Sequence, residues 1–131
     1  MQICSENLPW PLDKKLIQIL NDTLSTTEVD DGITITFRDP DFTPESGGFH
    51  PVEVSINKAG QIQYITDFCY VGQPPMCDLC KCLDFDFSLQ LFQFYGMESP
   101  IITGQEVFRI FQSNFIAYHG INAYRTSVEP W

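Results

Sequence analysis

A chain of 131 residues with 44% apolar and 14% aromatic side chains is large enough for one domain, residues 1–131, with its own core, and too apolar for a disordered acidic tail. Seventeen acidic against seven basic residues give a net charge of −10; this argues against direct nucleic-acid binding and suits a soluble protein or one with a basic partner. No run approaches the roughly 18 apolar residues of a membrane span, and the opening MQICSENLPWPLDKK has no basic segment leading into an apolar one, so the expected location is the cytoplasm, with the five cysteines reduced.

In chain order, Leu12, Leu16, Ile19, Leu20 and Leu24 recur at helical spacing across Pro11–Leu24, and Pro11 suits a first helical turn. Ser25–Gly32 is polar and acidic and reads as a loop. Ile33, Ile35 and Phe37 then alternate with Thr34, Thr36 and Arg38, the pattern of a half-buried strand. Asp39–Gly48, with two prolines and two glycines, reads as a loop. His50–Asn57 and Gln61–Cys69 predict a hairpin around Lys58-Ala59-Gly60. The register pairs Ile56 with Ile62, Val54 with Tyr64, Val52 with Thr66 and His50 with Phe68.

Val71–Lys81 reads as a further loop. Leu83, Phe85, Phe87 and Leu89 alternate with polar residues and predict a strand to Gln90, followed by a bulge or short helical turn at Phe92 and Phe94. Thr103-Gly104-Gln105-Glu106 has the form of a capping box, opening a helix with Val107, Phe108, Phe111, Phe115 and Tyr118 that stops at Gly120. Asn122–Val128 reads as a last strand. The expected fold is α+β: a single antiparallel sheet of about four to five strands with two main helices packed on one face. Ile35, Phe37, Val52, Val54, Tyr64, Phe85, Phe87, Phe111 and Phe115 are its expected core.

Phe37-Arg38-Asp39-Pro40, the block GGFHPVE (Gly47–Glu53), YITDF (Tyr64–Phe68), Ser113-Asn114-Phe115 and Tyr118-His119 follow one another along the chain. In these blocks it resembles a bacterial family of unknown function, DUF2787. The resemblance covers most of the chain and implies a small α+β domain, often encoded near mobile elements. It implies no known activity and supplies no catalytic residues. The cysteine cluster is not part of the pattern.

Strand alternation puts His50 with Val52, Val54 and Ile56 on one face, and Glu53 with Ser55 on the other. In the predicted register Asp67 lies diagonal to Glu53 on the polar face. Arg38, Glu53, Asp67, Asp84 and Asp86 are therefore candidate binding residues. On one reading they recruit a basic protein by imitating the charge of nucleic acid; on the plainer one they are a solvated face. A catalytic alternative, hydrolase-like or metal-dependent, uses Glu53, Asp67 and His50 as acid/base groups. No further catalytic group accompanies them, so a non-catalytic interaction module is the leading reading.

Gly47 and Gly48 are expected to form a turn, locked by His50 through a backbone carbonyl of the preceding loop. His119 ends a helix, where the macrodipole favours a cation. No metal or other cofactor is expected. The alternative is zinc on Cys69, Cys77, Cys80 and Cys82, a set whose spacing lacks a second Cys-x-x-Cys. No glycine-rich phosphate loop occurs, and Asp84-Phe-Asp86-Phe-Ser88 lacks the glycine and closing glutamate of a calcium loop.

Overall fold

The computed structural model describes residues 1–28 and 30–131; Val29, in the stretch Ser25–Gly32 expected to be a loop, lies outside the described residues. Helix α1 spans Lys14–Ser25 and buries Leu16, Leu20 and Leu24 along one stripe. Pro11, expected in the first turn, lies outside the helix, and Asp13 is its cap: an Asp13 carboxylate oxygen accepts the Lys15 N–H at 2.8 Å. The Asp13 N–H donates to Gln112 Oε1 at 2.9 Å and ties α1 to helix α2, Gln105–Gly120. The predicted capping box does not form. A one-turn 3-10 segment, Ile101–Gly104, leads into α2, and the Thr103 hydroxyl donates to the Pro100 carbonyl at 2.6 Å instead.

The strands are β1 (Ile33–Arg38), β2 (Val52–Ile56), β3 (Ile62–Gln73), β4 (Met76–Asp86), β5 (Leu91–Phe94), β6 (Met97–Pro100) and β7 (Arg125–Pro130). They form one antiparallel sheet in the order β6-β5-β4-β3-β2-β1-β7. The α+β class with two helices stands, but the described residues give seven strands rather than four to five. The stretch at Phe92 and Phe94, read as a bulge or short helical turn, is strand β5, the first arm of the β5–β6 hairpin. Val71–Lys81, read as a loop, is largely the far half of the β3–β4 hairpin. There Val71 pairs with Asp78 and Gly72 with Cys77, and Pro74-Pro75 sits in the turn, where a missing N–H costs no ladder bond.

Two irregularities set the faces of β3. Ile56 pairs with Ile62 as expected, but Ser55 then pairs with Tyr64, Val54 with Ile65, Glu53 with Thr66 and Val52 with Asp67. This one-residue bulge inverts the face of every following β3 side chain relative to β2. Tyr64 therefore leaves the expected core for the reverse face, and Ile65 takes its place, 1% exposed. The second irregularity follows Asp67: Asp67 pairs with Leu83 and Phe68 with Lys81, which leaves Cys82 unpaired in β4.

The rest of the expected core is buried in one cluster between the sheet and the helices. Phe37 meets Phe115 of α2 with centroids 5.0 Å apart, and Phe85 meets Phe108 at the same distance. Among the described residues no helix is long and apolar enough to cross a membrane.

Candidate functional site

Gly47 and Gly48 have φ of +67° and +136°, and the second of these is open to glycine alone. Asp39, at the end of β1, clamps this corner. One carboxylate oxygen accepts the Asp41 N–H at 2.9 Å and the other the Phe49 N–H at 3.1 Å. A Cβ on Gly48 would stand 2.7 Å from that second oxygen, so the corner closes only over glycine. The clamp delivers Phe49 and His50 beneath α2, where Phe49 packs on Tyr118 with centroids 4.4 Å apart.

His50 shares the helix-side face with Val52, as alternation predicts. Its partner is not a loop carbonyl. Its Nδ1 lies 3.1 Å from Asp67 Oδ2, while Asp67 Oδ1 accepts the Leu83 N–H at 3.3 Å. The bulge in β3 is what brings Asp67 to this face. The hydrogen bond His50 donates to Asp67, aided by the charge of that carboxylate, raises the His50 pKa above 6.5 against the opposing effect of burial. In protein held free of divalent ions, His50 is expected to titrate above 6.5 by proton NMR and to fall in Asp67→Asn; a value unmoved by that substitution would contradict the pairing.

His50 and Asp67 sit in the wall of a cleft of about 420 Å³ between the glycine corner and α2. Val52, Leu83, Phe111 and Phe115 line its apolar interior, and Ile110, Asn114 and Tyr118 its α2 rim. The blocks GGFH, YITDF, SNF and YH, separated by up to some tens of residues, thus each contribute to one cavity. Sequence reasoning named His50 and Asp67 but not the α2 residues, whose only signal was their place in SNF and YH.

The other predicted site residues lie elsewhere. Glu53, Asp84 and Asp86 occupy the reverse sheet face, so Glu53 does not join Asp67 and His50, and the four carboxylates do not share a face. Each of the three is also internally engaged. Glu53 accepts the Tyr64 hydroxyl at 2.7 Å, and the Tyr64 phenol is pushed up to about 12, by burial first and then by this bond. Asp84, only 5% exposed, accepts the Thr66 hydroxyl at 2.7 Å and lies 3.6 Å from Lys81 Nζ. Asp86 accepts the Ser88 hydroxyl and the Leu89 N–H at the β4–β5 turn. Arg38 ends β1 opposite Arg125 and forms no ion pair among the described residues. His119 ends α2 as expected and packs edge-on against Phe37.

The four cysteines of the zinc alternative are spread along the β3–β4 hairpin. Cys80 lies opposite Cys69, and Cys77 opposite Gly72 nearer the tip. Cys77 and Cys80 do not converge with the others on a metal-sized space. The converging set of nitrogen, oxygen and sulfur groups among the described residues is His50, Asp67 and Cys82, with ligand atoms within 4.8 Å of one another.

A family model described as "Protein of unknown function (DUF2787)" matches residues 12–129. No curated protein is significantly similar to the chain. Among solved structures, it is similar to the hypothetical protein VC0508 from the VSP-II pathogenicity island of Vibrio cholerae, at 33% identity and a TM-score of 0.82, over 98% of this chain and 99% of that one. It is likewise similar to the conserved hypothetical protein VC1805 from pathogenicity island VPI-2 of Vibrio cholerae, at 34% identity and a TM-score of 0.79, over 91% and 95%. That second protein is described as sharing structural homology with the human P32 protein.

Proposed function

We propose a non-catalytic ligand-binding role for this chain, which belongs to DUF2787, a family of proteins of unknown function. The ligand is a small, mostly apolar molecule, held in the cleft between α2 and the glycine corner with one hydrogen-bonding group at His50. The observation that carries this reading is the meeting of four separated sequence blocks at one cavity of about 420 Å³, a volume within the range of small-molecule sites. The interior is aromatic and aliphatic, and His50 with Asp67 is the charged pair in its wall. Asp67 occupies Nδ1 of His50 and leaves Nε2 for a ligand.

Binding fits better than nucleophilic catalysis. The nearby thiol, Cys82, is 7% exposed, and burial pushes its pKa well up, which keeps it protonated at neutral pH. The basic partner suggested by net charge is set aside, because the carboxylates that would attract it are engaged within the fold. Association with mobile elements is part of the proposal, and both neighbours come from pathogenicity islands.

The test uses a neutral fluorescent probe, N-phenylnaphthylamine, which avoids repulsion by the net charge. It is expected to bind one-to-one. Ile110→Asp, on the exposed rim, should weaken binding at least about tenfold, roughly the worth of one partly buried aliphatic contact. Leu79→Asp, on the β3–β4 hairpin, should leave it unchanged. No binding, or binding indifferent to Ile110→Asp, would refute the assignment.

A further inference from the structure

The irregularity after Asp67 leaves Cys82 as the extra residue of β4, and Cys82 lies with Asp67 and His50 in one compact group. Bulges of this kind re-aim side chains beside functional sites. From this convergence we infer that His50, Asp67 and Cys82 form a divalent-metal site for a zinc-like cation, with its open coordination position toward the cleft.

Three arguments support the assignment. The first is spacing. Zinc–ligand bonds of about 2.0–2.3 Å place two ligand atoms of a tetrahedral ion roughly 3.3–3.6 Å apart. His50 Nδ1 and Asp67 Oδ2 already stand 3.1 Å apart, and the whole set lies within 4.8 Å, so binding needs about an ångström of contraction. The second is chemistry. One imidazole, one carboxylate and one thiol suit a borderline-soft ion, whereas calcium and magnesium take oxygen ligands. The third is access: His50 and Asp67 line the cleft while Cys82 is buried and does not, so the fourth position is left to water or to a ligand group on the cleft side.

On binding, zinc forms a bond to Cys82 Sγ and the thiol proton passes to solvent. His50 binds through Nδ1 as the neutral Nε2–H tautomer: the Nδ1 proton it shared with Asp67 moves to Nε2, or to solvent where the ring was charged, and the bond to Asp67 gives way to a shared ion. The site does not depend on what the cleft holds, so it stands or falls apart from the ligand reading.

The experiment titrates the reduced full-length chain with cobalt(II), then with zinc. One cobalt per chain should produce a thiolate-to-cobalt charge-transfer band. Cys82→Ser should abolish it, and Asp67→Asn should weaken binding at least about tenfold. Cys77→Ser should leave it intact. In the wild-type chain, where no variant need fold, one equivalent of zinc should shift the ring nitrogens of His50 and not those of His119 in nitrogen-correlated NMR. A missing band, a band that survives Cys82→Ser, or His50 nitrogens unmoved by zinc would overturn the site.

Discussion

Phe85→Ala is expected to cost about 3–5 kcal/mol of unfolding free energy, the usual range for deleting a fully buried phenylalanine. Phe85 is 0% exposed and stands where β4, β5 and α2 meet. Its ring contacts Phe92 at 5.3 Å, Phe108 at 5.0 Å and Phe111 at 5.7 Å between centroids. Removing it leaves a cavity under the helix whose Phe111 lines the cleft, so stability and ligand binding should fall together. Phe94→Ala on β5, where the ring is 49% exposed, should cost less than about 1 kcal/mol. Urea denaturation of the two variants measures both effects. A Phe85→Ala loss no larger than that of Phe94→Ala would mean that α2 is not held to the sheet as described.

Gly48→Ala should be the most damaging single change at the site itself, at about 2–4 kcal/mol. About 1–3 kcal/mol comes from forcing a side chain to a φ of +136°. The remainder comes from displacing Asp39, whose carboxylate would meet the new Cβ at 2.7 Å and lose its bond to the Phe49 N–H. Gly47→Ala is the matched control. Its φ is +67° and no atom lies within 4 Å of the new Cβ, so the cost should be about 1–2 kcal/mol. The difference should be larger still in probe affinity, because the corner carries Phe49 and His50 into the cleft. Equal effects from the two glycines, in denaturation and probe titration alike, would contradict the clamp.

Much of this fold is legible in the sequence, and each failure has its own physical cause. β1 was readable because one face is buried and the other is not, so apolar and polar residues alternate. The buried stripes of α1 and α2 were readable at helical spacing. The β3–β4 hairpin was hidden because its far half is exposed on both faces: Val71, Met76 and Leu79 are accessible there, so no alternation marks it. The bulge between Ser55 and Ile56 leaves no compositional mark, since a one-residue slip is decided by packing across strands. That slip moved Asp67 to the other side of the sheet. Sequence alternation therefore grouped Asp67 with Glu53, whereas the structure pairs it with His50 and leaves Glu53 on the other face. The α2 wall of the cleft was invisible to periodicity because Asn114 and Tyr118 sit at the margin of a helix face that also serves the core.

Amide chemical-shift mapping of the full chain decides whether the separated blocks build one ligand cleft. N-phenylnaphthylamine added to the isotope-labelled protein should perturb residues around Phe49, His50, Leu83, Asn114 and Tyr118 together, with one shared affinity. Perturbations confined to the exposed β3–β4 hairpin or to the reverse sheet face around Glu53 and Asp86, with the cleft silent, would contradict a single cleft.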